Sequence, residues 1–418
     1  MQQDNNLKIL VVAGGFNRDN GATVIAKSNV ELLRRHDIKV YCISSLEKID
    51  TLYDEEMKEY YPEEYNTPKK YLTNIVNYFY NFKTKKKIKN FLQKYKPDIV
   101  HCHSLEISSL THSVLRACKE LNIPIVYTIH DAGLLCPSTT LMMNKIKICN
   151  PVRCTKYNKL PCIIHNCSRD FERNLRIAFL SFLNSLINHL KYVDIFITPS
   201  ETLRKLLINS YLNIQEDKIV SINNFLPQND FIVKPTFYNK RYFLFAGRLS
   251  IEKGLTILLN AFKDLPSDIE LHIVGKGPLE QKLKNFVVNN KMKNIKFLGF
   301  MTKDQLANEY RNCISTILPC NWIENFPTTN MESFINGKPV IASNIGGIPE
   351  QVEDNITGLL FEPANIEQLK ECILKYWNNP ELVIQHGKNA YMKAKKLYTE
   401  EKHFSELMKV YKKVINEY

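Results

Sequence analysis

The 418-residue chain carries its most informative pattern in the segment Leu318-Pro-Cys-Asn-Trp-Ile-Glu-Asn-Phe-Pro-Thr-Thr-Asn-Met-Glu-Ser-Phe334. Apolar residues at 314–318 predict a strand that leads into it, and apolar residues over 331–335 predict a helix that begins inside it. The start of a helix offers free backbone N–H groups and a partial positive charge, which suit an anion such as a phosphate. The segment therefore predicts a strand, a loop and a helix N-terminus around an anionic ligand.

Two carboxylates, Glu324 and Glu332, stand in this segment with seven residues between them. In a helix, eight positions would separate them by about 12 Å. The paired carboxylates of a retaining glycosidase lie only about 5–5.5 Å apart. We therefore interpret the two glutamates as hydrogen-bond acceptors for hydroxyl groups at the two ends of one elongated ligand.

Five other segments accompany the glutamate pair. They are Phe243-Leu-Phe-Ala-Gly-Arg-Leu-Ser-Ile-Glu-Lys-Gly254, Leu271-His-Ile-Val-Gly-Lys-Gly-Pro278, Phe297-Leu-Gly299, Pro339-Val-Ile-Ala-Ser-Asn-Ile-Gly-Gly-Ile-Pro-Glu350 and Thr357-Gly-Leu-Leu-Phe-Glu-Pro363. In this order and spacing, together with the Glu-x7-Glu pair, they resemble the retaining glycosyltransferases of the GT-B type, family four. The resemblance covers roughly residues 240 to 365, and fainter matches cover the first half of the chain.

Length and segment order predict the architecture. A chain of 418 residues exceeds one ordinary core, and strand patterns alternate with helical patterns, which is typical of parallel sheets. The resemblance implies an α/β fold of the GT-B type, with two Rossmann-like domains facing across a cleft. We predict an acceptor-side domain at 1–228, a nucleotide-sugar-binding domain at 229–399, and a helix at 400–418 that packs back on the first domain.

Four residues, His130, Arg248, Lys253 and Glu324, are predicted to carry the chemistry. His130 stands at the carboxyl end of a predicted strand, where ligands bind in open α/β sheets. The resemblance implies that Arg248 and Lys253 grip the diphosphate of the leaving group, that Glu332 binds the ribose hydroxyls and that Glu324 binds a hydroxyl of the donor sugar. His130 reaches that sugar from the opposite domain in this scheme, and the transfer retains the anomeric configuration.

The predicted donor-binding residues extend this site. Gly21 ends a glycine-bearing loop after a predicted strand at 9–13, a geometry that lets the backbone approach a phosphate. The full set comprises Glu332, Gly21, Gly247, Gly275, Phe326, Thr328, Thr329 and Asn330. Two positions depart from the usual pattern of the family, which has serine where Cys320 stands and a smaller residue where Asn330 stands.

Catalysis is expected to need no metal and no other cofactor. No two aspartates lie two residues apart in the chain, so the Asp-x-Asp clamp of the other large glycosyltransferase class is missing. Fixed positive charge aimed at the leaving group is then the main means of stabilising it.

The chain is basic, with a formal net charge of +13 and a pI near 9.0. Such a field attracts anions, including nucleotide sugars and anionic lipid surfaces. Residues 67–97 contain nine lysines and no carboxylate. Either a solvated helix face or a helix on an anionic membrane surface explains this stretch. Nucleic acid is not predicted as a partner, because no motif for it accompanies the charge.

The sequence has no run of about 18 apolar residues, and its first seven residues are polar in character. We therefore expect a cytoplasmic protein, attached peripherally to the inner face of the membrane if the basic stretch binds lipid.

The segment 136–167 is the least typical part of the chain. Cys149, Cys154, Cys162 and Cys167 form two pairs of matched spacing, with His165 between the last two. Eleven cysteines without an export signal argue against a disulfide framework. Two interpretations remain: a structural zinc held by the four thiolates, remote from catalysis, or reduced thiols packed in a loop, which the loose spacing favours.

A wide apolar stripe over 175–190 predicts a helix. A helix of the core is the favoured interpretation, and a helix that dips into a membrane surface is the alternative.

The resemblance implies a glycosyltransferase of the hexosyltransferase type. It would move a sugar from a nucleotide-diphosphate sugar to a glycan or lipid-linked acceptor, as members of the family do in the synthesis of cell-surface polysaccharide. A sugar-nucleotide epimerase of the GT-B type, and a basic protein that binds nucleic acid or an envelope surface, remain as alternatives.

Overall fold

The computed structural model describes residues 7–13, 21–44, 82–103, 109–150, 152–231, 235–237 and 242–418, which build two six-stranded sheets and a short hairpin. In chain order the strands are β1 (Lys8–Ala13), β2 (Lys39–Ser44), β3 (Ile99–His103), β4 (Ile125–Thr128), β5 (Met142–Met143), β6 (Lys147–Ile148), β7 (Ile195–Thr198), β8 (Ile219–Ser221), β9 (Tyr242–Ala246), β10 (Glu270–Val274), β11 (Ile295–Gly299), β12 (Thr316–Leu318), β13 (Val340–Ser343) and β14 (Gly358–Phe361).

The α-helices are α1 (Gly21–Arg35), α2 (Phe82–Tyr95), α3 (Ser109–Leu121), α4 (Leu160–Ile164), α5 (Phe171–Ile187), α6 (Glu201–Ile208), α7 (Leu255–Lys263), α8 (Glu280–Asn289), α9 (Lys303–Asn312), α10 (Thr328–Ile335), α11 (Ile348–Gln351), α12 (Ile366–Asn378), α13 (Pro380–Leu397) and α14 (Glu400–Asn416).

Both six-stranded sheets are parallel, with the orders β2-β1-β3-β4-β7-β8 and β11-β10-β9-β12-β13-β14. Their strands are near-continuous apolar runs because helices cover both faces of the sheet. In the first sheet, Leu10 and Val100 lie in register and face the core under α2 and α3, whereas Ile9 and Val11 face α1 and α14. These parallel sheets confirm the predicted α/β class.

The winding reverses once in each sheet. In the second sheet the chain runs from β9 outward to β10 and β11 and then returns to β12 on the other side of β9. In the first sheet the reversal lies between β1 and β3. Carboxyl ends of strands that flank a reversal leave a crevice, and ligands of open α/β sheets bind there.

The last helix, α14, packs on the first sheet. Its Leu407, Val410 and Val414 join the core that contains β1. The Tyr411 hydroxyl lies 2.6 Å from His101 Nδ1, in the middle of β3. The helix therefore links the end of the chain to the sheet at its start.

The basic stretch is described only in part, since 67–81 lie outside the described residues. Helix α2 buries Ile88, Phe91 and Leu92 in the core. Its lysines are partly paired, because Lys85 and Lys89 both contact the carboxylate of Glu120 on α3.

The expectation that the stripe over 175–190 belongs to a core helix is wrong. Helix α5 buries Asn174, Ala178 and Ser181, and leaves Leu175 and Phe179 exposed. Its inward side is the polar one, because Asn174 and Asn184 on that side make hydrogen bonds to neighbouring residues. Among the described residues no helix is both long enough and apolar enough to cross a membrane.

Candidate functional site

The crevice of the second sheet is built by two loops that touch. One follows β9 and carries Arg248 and Lys253, and the other follows β12 and carries Glu324. Gly254 has a φ of +72°, and a Cβ there would lie 1.7 Å from the carbonyl oxygen of Pro319. Only glycine permits this conformation and this approach, so the loop after β9 lies directly against the loop after β12.

Lys253 and Glu324 form an ion pair in this crevice. The Lys253 Nζ lies 2.5 Å from Glu324 Oε2, and the Trp322 indole N–H donates to the same oxygen at 2.9 Å. Both side chains of the pair are largely buried, at 21% and 13% exposure. Burial acts to lower the pKa of Lys253, but the Glu324 carboxylate outweighs it and raises that pKa above its ordinary value. Lys253 is therefore a fixed cation at the carboxyl edge of the sheet.

Arg248 is placed at the mouth of the crevice. Its side chain is 68% exposed, and its Nη2 lies 2.5 Å from Glu252 Oε1. Burial acts to raise the pKa of Glu252, but hydrogen bonds from Ser250 and Arg248 outweigh it and lower that pKa. Arg248 and Lys253 thus supply one exposed and one enclosed cation to the same strand end.

Helix α10 begins in this crevice with an open N-terminus. Pro327 occupies the cap position and no side chain caps the first turn, so backbone N–H groups at Thr328 and Thr329 are available to an anion. Glu332, one turn further on, accepts a 2.8 Å hydrogen bond from the Tyr310 hydroxyl. Burial raises the pKa of Glu332 although Tyr310 opposes it. The helix thus presents N–H groups and a carboxylate about one turn apart.

Two predicted donor-binding side chains do not reach the crevice. Phe326 is buried and packs edge-on against Tyr398, with ring centroids 5.6 Å apart. Asn330 is fully buried, and its amide donates to Gln351 Oε1 at 2.9 Å. Their part in donor binding stays a prediction.

Gly247 and Gly275 lie against each other at the ends of β9 and β10. Gly275 has a φ of +129°, and a Cβ there would lie 1.9 Å from the carbonyl oxygen of Gly247. The Gly247 N–H in turn donates to the Val274 carbonyl at 3.0 Å. This contact keeps the floor of the crevice free of side chains.

The first sheet contributes His130, just past the end of β4. Its carbonyl accepts a 2.7 Å hydrogen bond from Asn325 Nδ2, the residue after Glu324. Its Nε2 lies 3.1 Å from Nδ1 of the buried His103. Burial, with a contribution from His403, lowers the pKa of His130 to about 4, so the imidazole is neutral at neutral pH. Gly21 is exposed at the start of α1, and the loop before it lies outside the described residues.

Glu350 joins the two sheets in a way that the sequence did not predict. Its carboxylate accepts from the backbone N–H groups of Glu201 and Thr202, at 2.8 and 2.7 Å, and so caps the N-terminus of α6. The Thr202 hydroxyl donates to the Gly346 carbonyl at 3.2 Å. Glu350 lies in a recognisable segment, but nothing in that segment indicates a partner 149 residues away.

The comparison with family models decides the assignment. The model described as "Glycosyltransferase Family 4" matches residues 19–228, and "Glycosyl transferases group 1" matches residues 228–393. The chain belongs to glycosyltransferase family 4. Its two matched segments meet at residue 228, between the two sheets.

Known relatives of this glycosyltransferase include an uncharacterized glycosyltransferase of Methanocaldococcus jannaschii, 34% identical over 49% of this chain and 62% of the relative. The O-antigen chain mannosyltransferase C of Escherichia coli is 28% identical over 38% of this chain and 43% of the relative. The alignments thus span less than two thirds of either relative.

Among solved structures, the Anabaena protein HepE in complex with UDP-glucose matches with a TM-score of 0.65 and 17% identity, over 97% of this chain and 99% of that one. Likeness to such structures confirms the predicted GT-B fold, two Rossmann-like domains facing across a cleft.

The cysteine segment of this glycosyltransferase places four thiols around one small cavity. Cys149, Cys154, Cys162 and Cys167 are buried and line one cavity of ≈ 10 Å³. Among the described residues, however, no three His, Cys, Asp or Glu side chains are arranged to hold a metal ion. The zinc site stays an untested prediction. The segment is also close to the crevice, because Cys136 packs in one apolar cluster with Ile323, the residue before Glu324.

One measurement separates the two interpretations of this segment. Because no three ligands converge in the part of the chain that the structure describes, we expect purified protein to carry far less than one zinc per chain and its four buried thiols to react only after unfolding. Elemental analysis and timed thiol titration, with the half-buried Cys372 as the reference for a more accessible thiol, check this. About one zinc per chain, retained until a chelator is added, would establish the metal site instead.

Proposed function

We propose that this glycosyltransferase transfers a hexose from a nucleoside-diphosphate sugar, with retention of anomeric configuration and without a metal ion, to a glycan or lipid-linked acceptor. The observation that carries the proposal is the contact between the two sheets at residues 324 and 325. Glu324 is paired with Lys253 of the second sheet, while Asn325 is bonded to His130 of the first sheet. A donor in the crevice therefore meets a cation, a carboxylate and an imidazole from two sheets.

Lys253 and Arg248 are assigned to the diphosphate. Negative charge grows on the leaving oxygen as the glycosidic bond breaks, and preorganised cations stabilise that charge most effectively where water is excluded. Lys253 meets this condition because it is enclosed and its charge is secured by Glu324. The open N-terminus of α10 adds N–H groups and a partial positive charge on the same side.

Glu324 and His130 are assigned to the donor sugar. Within the described part of the chain, the hydrogen bonds to the Glu324 carboxylate all converge on Oε2, from Lys253, Trp322 and Cys320. The Oε1 atom therefore remains for a sugar hydroxyl. His130 is neutral, so it serves as a hydrogen-bonding group rather than as a second cation.

The donor base and the acceptor class are proposed from similarity. A structural neighbour was solved with UDP-glucose, so UDP sugars are the first donors to test. A relative acts as an O-antigen chain mannosyltransferase, which supports an acceptor used in cell-surface polysaccharide.

A ligand panel tests the proposal. The unfolding temperature is measured with UDP, GDP and ADP and with sugars attached to each, followed by assay of nucleoside diphosphate release. We expect one base to raise the unfolding temperature by a few degrees, since a ligand that binds only the native state stabilises it. No stabilisation by any nucleotide, or sugar epimerisation without release of diphosphate, would contradict the proposal.

Replacing Glu332 by alanine should weaken nucleotide affinity by about 10- to 100-fold, the range for hydrogen bonds to a charged group, with little change in turnover number. Ribose contacts persist in ground and transition states alike, so their loss is felt mainly in binding. Titration calorimetry measures the affinity, and Glu309→Ala, a half-buried carboxylate paired with His272, is the control.

The same carboxylate predicts a pH dependence. Burial raises the pKa of Glu332, so this carboxylate takes up a proton at a higher pH than an ordinary glutamate does. As the pH falls, the nucleotide affinity of the wild type should therefore begin to weaken at that higher pH. This trend should vanish in Glu332→Ala. An unchanged affinity in Glu332→Ala would remove Glu332 from the ribose site.

A further inference from the structure

Helix α5 turns its polar side toward the protein and its apolar side toward solvent. Its buried positions are Asn174, Ala178 and Ser181. Its exposed apolar side chains are Phe171 at 65%, Leu175 at 53%, Phe179 at 46% and Leu186 at 55%. An amphipathic helix on the surface of a globular protein normally faces the other way. This orientation leaves a continuous apolar stripe of about four turns without cover among the described residues.

Hydrogen bonds on the inward side hold α5 in this orientation. The Asn174 Oδ1 accepts from the Ser168 N–H at 2.9 Å, and its amide donates to Asn166 Oδ1 at 2.6 Å. At the other end, Asn184 Oδ1 lies 2.6 Å from Nε2 of His112 on α3. Rotating the helix to bury its apolar side would carry Asn174 and Asn184 outward and break these bonds. The groups on Ser168 and His112 that they now contact would lose those partners inside the protein, which is costly. The exposed stripe is therefore a property of the fold.

Neighbouring elements extend the apolar stripe. Helix α4 packs against α5 through Cys162 and Ala178, and it exposes Ile164 at 67%. The β5–β6 hairpin exposes Ile146, in its turn, at 63%. Arg169 Nε donates to the Asn144 carbonyl at 2.9 Å and ties this turn to the start of α5. We call these six residues, Ile146, Ile164, Phe171, Leu175, Phe179 and Leu186, the α4–α5 surface.

The segment that carries the α4–α5 surface is rich in positive charge. Residues 141–191 contain nine Lys or Arg, of which only Lys159 is buried, and two Asp or Glu, Asp170 and Glu172. Asp170 is already engaged, since its carboxylate accepts from the Arg173 N–H at 3.0 Å and caps α5. A large apolar stripe framed by Lys and Arg is the composition of helices that lie in a membrane interface, where apolar side chains enter the acyl boundary and cations meet anionic headgroups.

We propose that the α4–α5 surface docks this glycosyltransferase on an anionic lipid bilayer, with α5 lying in the plane of the interface. A second copy of the chain fits this surface less well, because it would bring the same excess of positive charge to the contact. The proposal concerns a surface apart from the nucleotide crevice, so its failure would leave the proposed sugar transfer intact. It also differs from the basic-stretch prediction, whose described helix α2 buries its apolar side.

Flotation with vesicles of phosphatidylcholine, with and without phosphatidylglycerol, tests the docking. We expect binding to the anionic vesicles only, weakened by salt. The double variant Phe171→Ser with Phe179→Ser should reduce it by about tenfold or more, since two buried aromatic side chains are lost from the contact. Phe300→Ser is the matched control, because Phe300 is 66% exposed on the second-sheet side and lies outside this surface. Unchanged unfolding temperature and donor cleavage verify that both variants fold.

Insertion is measured separately. Phe179→Trp should show fluorescence quenching by brominated lipid, and Phe300→Trp should not. Equal binding to neutral and anionic vesicles, no loss of binding in the double variant, or quenching of both tryptophans alike would overturn the proposal. So would light scattering that shows a lipid-free dimer of the wild type and a monomer of the double variant, since the α4–α5 surface would then join two copies.

Discussion

Replacing Lys253 by alanine is expected to lower the rate of nucleoside diphosphate release at saturating donor by about 10²-fold or more, the range seen when one preorganised donor to a developing anion is removed. The charge of Lys253 is fixed by its 2.5 Å contact with Glu324, so it needs no reorganisation when the leaving oxygen becomes negative. Glu324 keeps the Trp322 hydrogen bond in the variant but loses its cation in a largely buried place, so the unfolding temperature should fall as well, and the rate is compared at a temperature where both proteins are folded.

A second lysine–carboxylate pair provides the control. Lys296 lies 2.7 Å from Glu270 on the neighbouring strands β11 and β10, away from the crevice, and Lys296→Ala should leave the rate unchanged. Arg248→Ala should also lower turnover, since Arg248 serves the same leaving group. Full activity in Lys253→Ala would contradict the assignment of the crevice, because no other enclosed cation has been assigned to the diphosphate.

Acid should destabilise the protein strongly between pH 6.5 and about 4. His101, His189 and His403 are buried at 1%, 6% and 7% exposure. Burial lowers the pKa of His101 to about 3, and those of His189 and His403 to about 4, from an unperturbed 6.5. Below pH 6.5 these histidines bind protons in the unfolded chain but not in the folded chain. The free energy of unfolding therefore falls with pH until the folded-state pKa is reached.

The expected loss is large. Each pKa unit is about 1.4 kcal/mol, so three such histidines together cost on the order of 5 kcal/mol or more over this range. Urea unfolding at several pH values measures the slope, and the interval above pH 5 separates histidines from ordinary carboxylates. In His403→Gln, which retains a donor for Asn29 Oδ1, now 2.8 Å from His403 Nε2, the slope should flatten because one of the buried histidines is lost. A free energy of unfolding that stays constant from pH 6.5 to 5 would contradict the neutral, buried state of these side chains.

The sequence predicted the strands of the second sheet well because they are short apolar runs, a pattern typical of buried parallel strands. The strand predicted at 314–318 contains β12 (Thr316–Leu318), and the motif that begins at Phe243 opens inside β9 (Tyr242–Ala246). The ends of these strands then place Lys253 and Glu324 in the same region, although their direct pairing is a matter of loop geometry at Gly254. That close approach depends on atoms far apart in sequence.

Helix α5 shows what a periodic pattern leaves open. Its apolar stripe indicated a helix correctly, but periodicity does not tell which side faces the protein. Asn174 and Asn184 decide this through bonds to Ser168 and His112, and those partners are visible only in the folded chain. Similarly, Phe326 and Asn330 stand within the most informative segment, yet both side chains are buried. Phe326, in the loop before α10, joins an apolar cluster, and Asn330, on α10, bonds to Gln351.

Proton NMR of the anomeric signals during turnover of an accepted nucleotide sugar tests the central claim most directly. If the crevice transfers a sugar with retention, the first new anomeric signal has the configuration of the donor, its growth matches diphosphate release, and both are lost in Lys253→Ala. A first product of the opposite configuration, or no cleavage of any nucleotide sugar in the panel, would contradict the account.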